Sequence, residues 1–129
     1  MKTKRVALAA ILVVLPLMLS ARSARAVDFE PWTVEQKVLE ATFAGLIYLD
    51  WRQTIAIAGR PGHVEVNPAL GKHPSEATVT RYLLAAALLH AGISAALPGH
   101  WRTRWQYVTV GVEYHTVWYN WQLGLTAGF

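Results

Sequence analysis

Residues 82–97 read YLLAAALLHAGISAAL, a run without Lys, Arg, Asp or Glu. Pro74, Ser75 and Glu76 stand ahead of it, and Pro98-Gly99 behind it. A proline without an N–H and a negative charge both suit the first turn of a helix, and Pro-Gly suits its end. The spacing predicts a helix over 75–97. Ala87, Ala91 and Ala95 recur at every fourth position, and small side chains let helix backbones approach closely in lipid. This stretch is the best membrane-spanning candidate beyond the N-terminus. It sets the expected fold class: all-α, a small helical membrane bundle.

Upstream, Pro61, Gly62, Pro68, Gly71 and Pro74 mark residues 59–74 as a loop with several turns. Before that loop, Thr33 followed by Gln36 offers a capping box, with Thr33 as N-cap and Gln36 three residues on. Val38, Leu39, Phe43, Leu46, Ile47 and Leu49 supply the apolar content, and Gly59-Arg60-Pro61-Gly62 stops the run. A helix over 33–58 follows, an imperfect span because Asp50, Arg52 and Gln53 lie inside it. Downstream, residues 101–125 are rich in Trp, Tyr, Val and Thr, which favours a strand on propensity alone. A lone strand cannot close a barrel, which needs about eight. A third helix over 101–125 is therefore expected, with Trp101 and Trp105 at one end and Trp118, Tyr119 and Trp121 at the other as aromatic belts.

The N-terminus has the order of a secretory signal: a basic stretch to Arg5, an apolar run from Val6 to Leu19 broken by Pro16, then Ala24-Arg25-Ala26. Residues 1–26 are expected to be a signal peptide cleaved before Val27, the alternative being an uncleaved signal anchor. Either way, residues 27–129 form one helical membrane domain whose N-terminus starts outside the cytoplasm. Three spans then place the loop bearing Arg60, Lys72 and Arg81 in the cytoplasm and the turn bearing Arg102 and Arg104 outside. The expected location is the bacterial inner membrane, with the mature N-terminus on the periplasmic side.

Composition narrows the function. Of 129 residues, 53% are hydrophobic and 16% charged, against roughly 25% charged in an ordinary soluble domain; disorder is excluded. The absence of cysteine excludes disulfide scaffolds and thiolate metal sites. The net charge of +4 comes from the N-terminus, where Lys2, Lys4, Arg5, Arg22 and Arg25 lie in the first 26 residues. The remainder carries seven basic and eight acidic residues, a charge of −1, and offers no basic stripe to a nucleic acid. Neither a Gly-rich phosphate loop nor a nucleophile elbow around Ser75 or Ser94 is present, so no cofactor and no serine hydrolase is expected.

Ionisable side chains within spans are costly and need a reason. Asp50, Gln53 and Thr54 share a face of the first helix; Tyr82, Ala86, His90 and Ser94 form a row on the second; Gln106, Thr109, Glu113, Thr116 and Asn120 form a stripe on the third. Buried against one another, these faces make a polar cluster of Asp50, Gln53, His90, Glu113 and Asn120. One reading makes Asp50, His90 and Glu113 a metal site or proton relay. The other makes the cluster a hydrogen-bonded network that fixes helix register, with Arg52 paired to Asp50 or Glu113. No H-E-x-x-H or Glu-x-x-His spacing singles out a metal, and His63, Glu65 and His73 read as solvated loop residues.

Two elements carry a resemblance. Asp50-Trp51-Arg52-Gln53-Thr54 and Asn67-Pro68-Ala69-Leu70-Gly71-Lys72-His73-Pro74-Ser75 resemble the D-W-x-Q-T and N-P-x-L-G-x-H-P-S elements of a family of small bacterial and phage-encoded membrane proteins with signal sequences. The resemblance spans most of residues 33–125. It implies membrane location, carries over nothing catalytic, and directs attention to the loop residues Asn67, Pro68, Gly71 and Pro74. The expected function is a structural or partner-binding subunit, its partners being the lipid bilayer and a second copy or another membrane protein. The alternative is an ion- or proton-translocating module built on Asp50, His90 and Glu113.

Overall fold

The structure, a computed structural model, describes residues 30–58, 62, 64–65 and 67–127. The expected signal peptide lies outside the described residues, as do Arg60, Pro61 and His63 of the first loop. Among the described residues there are three helices: α1, Val34–Ala58; α2, Glu76–Ala96; and α3, Gly99–Gln122. Among the described residues the chain is all-helical, with no strand.

Local chemistry explains where the helices start and stop. The capping box closes in both directions: Gln36 N–H donates to Thr33 Oγ1 at 3.2 Å, and Thr33 N–H donates to Gln36 Oε1 at 3.1 Å. At α2 the N-cap is Ser75, whose hydroxyl accepts from Thr78 N–H. The α2 C-terminus closes with Leu97 N–H on Ile93 O at 3.0 Å. Pro98 then caps α3 directly, so α3 begins two residues ahead of the expected 101 and takes Arg102 out of the turn into its first helical turn. It also stops earlier than the expected 125. Leu123 N–H bonds the Tyr119 and Asn120 carbonyls, and Gly124 adopts φ +76°, a left-handed conformation that glycine tolerates. The chain folds back there and buries Leu125 and Ala127.

α1 and α3 run parallel and pack most closely, and α2 lies antiparallel, more against α1 than α3. Near the 59–75 loop, Leu70, Val79 and Leu83 form an apolar core against Ile47, Trp51, Ile55 and Tyr82. Elsewhere the interior is largely polar, with Leu39, Phe43 and Val117 buried among the polar groups. Gln36, Asp50, Gln53, Thr54, His90, Ser94, Arg102, Gln106 and Asn120 are buried, while Val38, Tyr48, Leu84, Leu88, Leu89, Val108, Val112, Tyr114, Trp118 and Trp121 are exposed. Among the described residues, no Lys, Arg, Asp or Glu is exposed along 38–58, 82–96 or 105–121. By length and hydropathy, α2 alone among the described helices is apolar enough to cross a membrane; the polar residues within α1 and α3 pull their averages down.

The expected belt at the start of α3 needs correction. Trp101 is exposed with Arg104 over its ring, but Trp105 is half-buried and turns its ring toward His90.

Candidate functional site: two polar clusters within the bundle

The first cluster sits where the starts of α1 and α3 meet the end of α2. Arg102 is 1% exposed. Its Nε donates to Ser94 O at 2.7 Å and its Nη2 to Leu97 O at 3.1 Å, satisfying carbonyls at the α2 C-terminus. Its Nη1 donates to Gln36 Oε1 and to Glu30 O, both at 3.1 Å. Its guanidinium also lies 5.0 Å over the Trp32 ring. One cation thereby joins α1, α2, α3 and the segment before α1, on acceptors that are all neutral. Gln36, already part of the capping box, donates its Nε2 to Gly99 O at 2.8 Å and Thr103 Oγ1 at 2.9 Å.

One turn deeper, Glu40 Oε2 accepts from Gln106 Nε2 at 2.9 Å and lies 3.0 Å from His90 Nε2. Gln106 Nε2 also reaches Gln36 O at 3.1 Å. The His90 ring stacks on Phe43, with centroids 3.7 Å apart, and faces Trp105 at 5.7 Å. With Nε2 turned to a carboxylate, the neutral ring carries its proton there and leaves a lone pair on Nδ1. His90 Nδ1, Trp105 Nε1 and Gln106 Oε1 are buried with no partner among the described contacts.

The second cluster lies toward the other end of α1 and α3. Asn120 Nδ2 donates to Asp50 Oδ1 at 2.9 Å, and Thr54 Oγ1 donates to the same oxygen at 3.3 Å. Gln53 is 0% exposed; its Nε2 reaches Val117 O at 3.4 Å and its Oε1 has no partner. Glu113 is half-buried, with Oε1 buried and unpartnered.

The five residues singled out in the sequence are thus divided. Asp50, Gln53, Glu113 and Asn120 occupy one end of the α1–α3 interface. His90 does not join them, because it faces α1 ten residues earlier and engages Glu40. Among the described residues, no three His, Asp or Glu side chains converge as a metal site, so an Asp50–His90–Glu113 centre is not assembled. Arg52 pairs with neither acid; its Nε donates to Ala127 O at 3.1 Å, held in reach by the turn at Gly124.

In the loop motif, Asn67 Oδ1 accepts from Ala69 N–H at 3.0 Å and Asn67 O from Leu70 N–H at 3.1 Å, an Asx turn that sets Leu70 into the apolar core. Gly71 takes φ +75°, Lys72 O accepts from Glu65 N–H at 3.0 Å, and Pro74 is buried. Trp51 Nε1 donates to Thr80 Oγ1 at 2.9 Å beside them.

Sequence reasoning missed Arg102 and Glu40 and gave Gln36 only its capping role. The stripe taken as starting at Gln106 continues four residues back to Arg102, and Gln36, Glu40, Phe43, Ile47, Asp50 and Thr54 follow one another at spacings of three and four. Arg102 lies one turn before Gln106, and Glu40 and Gln36 about three and four turns before Asp50, so following both stripes back to the helix starts would have found them.

Comparison with known proteins finds no matching family model, no matching curated protein and no matching solved structure. The chain must be read from its own geometry.

Proposed function

We propose that this chain is a small integral protein of the bacterial inner membrane whose three helices all cross the bilayer, and that it acts as a structural or partner-binding subunit without catalytic activity. The observation that carries this reading is the inverted distribution of polarity. In water, exposing Leu84, Leu88, Leu89, Val108, Val112, Trp118 and Trp121 while burying Gln36, Gln53, Arg102 and Gln106 would sacrifice apolar burial and polar hydration together. In lipid both choices are favourable, because a polar group must find its partners inside the bundle. The outward faces free of charge extend over about 21–30 Å of helix, near the roughly 30 Å of a hydrocarbon core. An apolar groove between α1 and α3, lined by Leu46, Leu49, Tyr114, Val117, Trp118 and Trp121, suits an acyl chain.

Under this reading residues 1–26 are the insertion signal, the loop with Asn67 and Pro74 lies in the cytoplasm, and the Leu97-Pro98 turn lies outside. The resemblance to small signal-bearing bacterial membrane proteins belongs to the same proposal. Self-association fits it as well: Gly45 and Gly92 lie on exposed faces with open space where a Cβ would stand. The translocation alternative has less support, since His90 engages Glu40 rather than Asp50 or Glu113.

Cysteine accessibility tests the topology, because the chain has no cysteine of its own. His100 serves as the labelling position at the α2–α3 turn, since a Cβ on the adjacent Gly99 would collide with the Glu30 carboxylate. Thr33→Cys and His100→Cys should react with a membrane-impermeant maleimide in intact cells, and His73→Cys and Thr126→Cys should react only after lysis. Equal labelling of all four in intact cells would overturn the three-span arrangement.

A further inference from the structure

Among the described residues of 38–58, 82–96 and 105–121, His115 is the one exposed side chain that is a histidine, an amide or a charged group. It stands about 200° around α3 from half-buried Glu113, on the side away from α1, and has no hydrogen bond or ring contact among the described residues. A polar group turned to lipid without a partner is costly. Gly111 precedes it by one turn, exposed, with open space where a Cβ would stand. At the start of α2, Arg81 is likewise exposed and unpartnered among the described residues. Arg81, Ala85 and Gly92 share one exposed face of α2, turned away from buried Leu83, His90 and Ser94.

The two exposed faces match in depth. His90 and Gln106 meet on one Glu40 oxygen; four residues further along α2, Ser94 O accepts from Arg102, which lies four residues back on α3. Toward the other end, Trp51 bonds Thr80, and Gln53, two residues on, reaches Val117 O. Both ties give one antiparallel register. In it Arg81 and His115 each lie nine residues from the His90–Gln106 level, and Ala85 and Gly111 each lie five. Copies inserted alike share orientation and depth, so residues that are level within one chain are level between chains. We propose that the exposed face of α2 receives α3 of a second copy, antiparallel, with Arg81 donating to the His115 imidazole of that copy and Ala85 against Gly111 where the helices come closest. The chemistry selects this pairing. A guanidinium only donates, whereas a neutral imidazole keeps one bare nitrogen to accept, and two guanidiniums set face to face would repel. The contact is therefore head-to-tail, α2 on α3, and the small residues between let the backbones approach. The inference rests on the three-span reading, which turns both faces toward lipid.

The test uses full chains carrying one cysteine each, since the parent has none. Chains with Ala85→Cys and with Gly111→Cys, told apart by an affinity tag on one, are co-expressed and oxidised in the native membrane with copper phenanthroline. A disulfide between the two kinds of chain is expected, and neither variant expressed alone should cross-link to itself. Self-cross-linking without the mixed product, or no product at all, would overturn the contact. In zwitterionic detergent, His115→Leu and Arg81→Ala should each weaken association about five- to thirtyfold by sedimentation equilibrium. Helix content should stay unchanged by circular dichroism, because both side chains are exposed. His115→Gln keeps an acceptor and should retain most of the association. Unaltered association in His115→Leu would also overturn the pairing. Chains that label as three spans but give no mixed disulfide lose this contact alone, and chains that give it but fail the labelling lose the spans alone.

Discussion

Arg102→Met removes the donors that hold four acceptors on the end of α2, the segment before α1 and α1 itself: Ser94 O, Leu97 O, Glu30 O and Gln36 Oε1. Methionine approximates the volume but leaves these neutral acceptors short of a donor, Gln36 Oε1 keeping only Thr33 N–H, and a buried acceptor left unsatisfied costs about 1–3 kcal/mol. The thermal midpoint in detergent, followed by circular dichroism, should fall accordingly. Arg102→Lys should recover only part, because an ammonium cannot spread its donors over this fan of acceptors. An unchanged midpoint in Arg102→Met would mean that the α2–α3 turn holds without its cation. This residue was hidden in the sequence because Pro98-Gly99 marked the neighbourhood as a turn, and a charged residue in a turn reads as solvated. Gln36 was legible as a cap partner; its second set of bonds, to Gly99 O and Thr103, depends on a contact 63 to 67 residues away that no local pattern announces.

At the level of the helix, α3 is where two rules of sequence reading compete. Its Trp, Tyr, Val and Thr content favours a strand, but Arg102, Gln106, Glu113, Val117 and Asn120 recur at spacings of three, four and seven, and it is a helix. Periodicity prevailed because the polar groups find partners only when they share a face. α2 was legible throughout, from Ser75 to the end at Pro98, since its uncharged run admits few alternatives. Its exposed face carries Ala85, Gly92 and Ala96, which sets up a test of association. Gly92→Leu places a bulky side chain where nothing lies within 4 Å of the new Cβ, and glycine is disfavoured within helices by about 1 kcal/mol. The monomer should therefore keep or gain thermal stability, while the dimer fraction in sedimentation equilibrium drops. An undiminished dimer fraction would move the self-association face away from this side of α2.

For the molecule as a whole, the decisive feature is that the outward faces are largely apolar, His115 being exposed among them, while the polar stripes meet. Average hydropathy registers only α2, because averaging adds the hidden face to the visible one. Wetness and greasiness have to be assigned by face, and the sequence could do that only after the stripes on three helices had been matched to each other. The depth of Glu40 and His90 relative to Asp50 depended on the packing and could not be read beforehand. If the outward face contacts lipid, the protein should stay with the membrane fraction through an alkaline carbonate wash, and brominated acyl chains should quench the fluorescence of exposed Trp118 and Trp121. Release by carbonate would contradict the membrane reading.

The parallel pairing of α1 with α3 also sets a schedule for synthesis. Gln36, Glu40 and Asp50 leave the ribosome some 66 to 70 residues before Arg102, Gln106 and Asn120. At roughly 5–20 residues per second, α1 waits about 3–14 seconds with its polar face unanswered. Whatever shelters it during that interval, the insertion machinery or the membrane–water interface, has to tolerate two acids and two amides on one side of a greasy helix. When α3 emerges, that debt is settled in a single docking step.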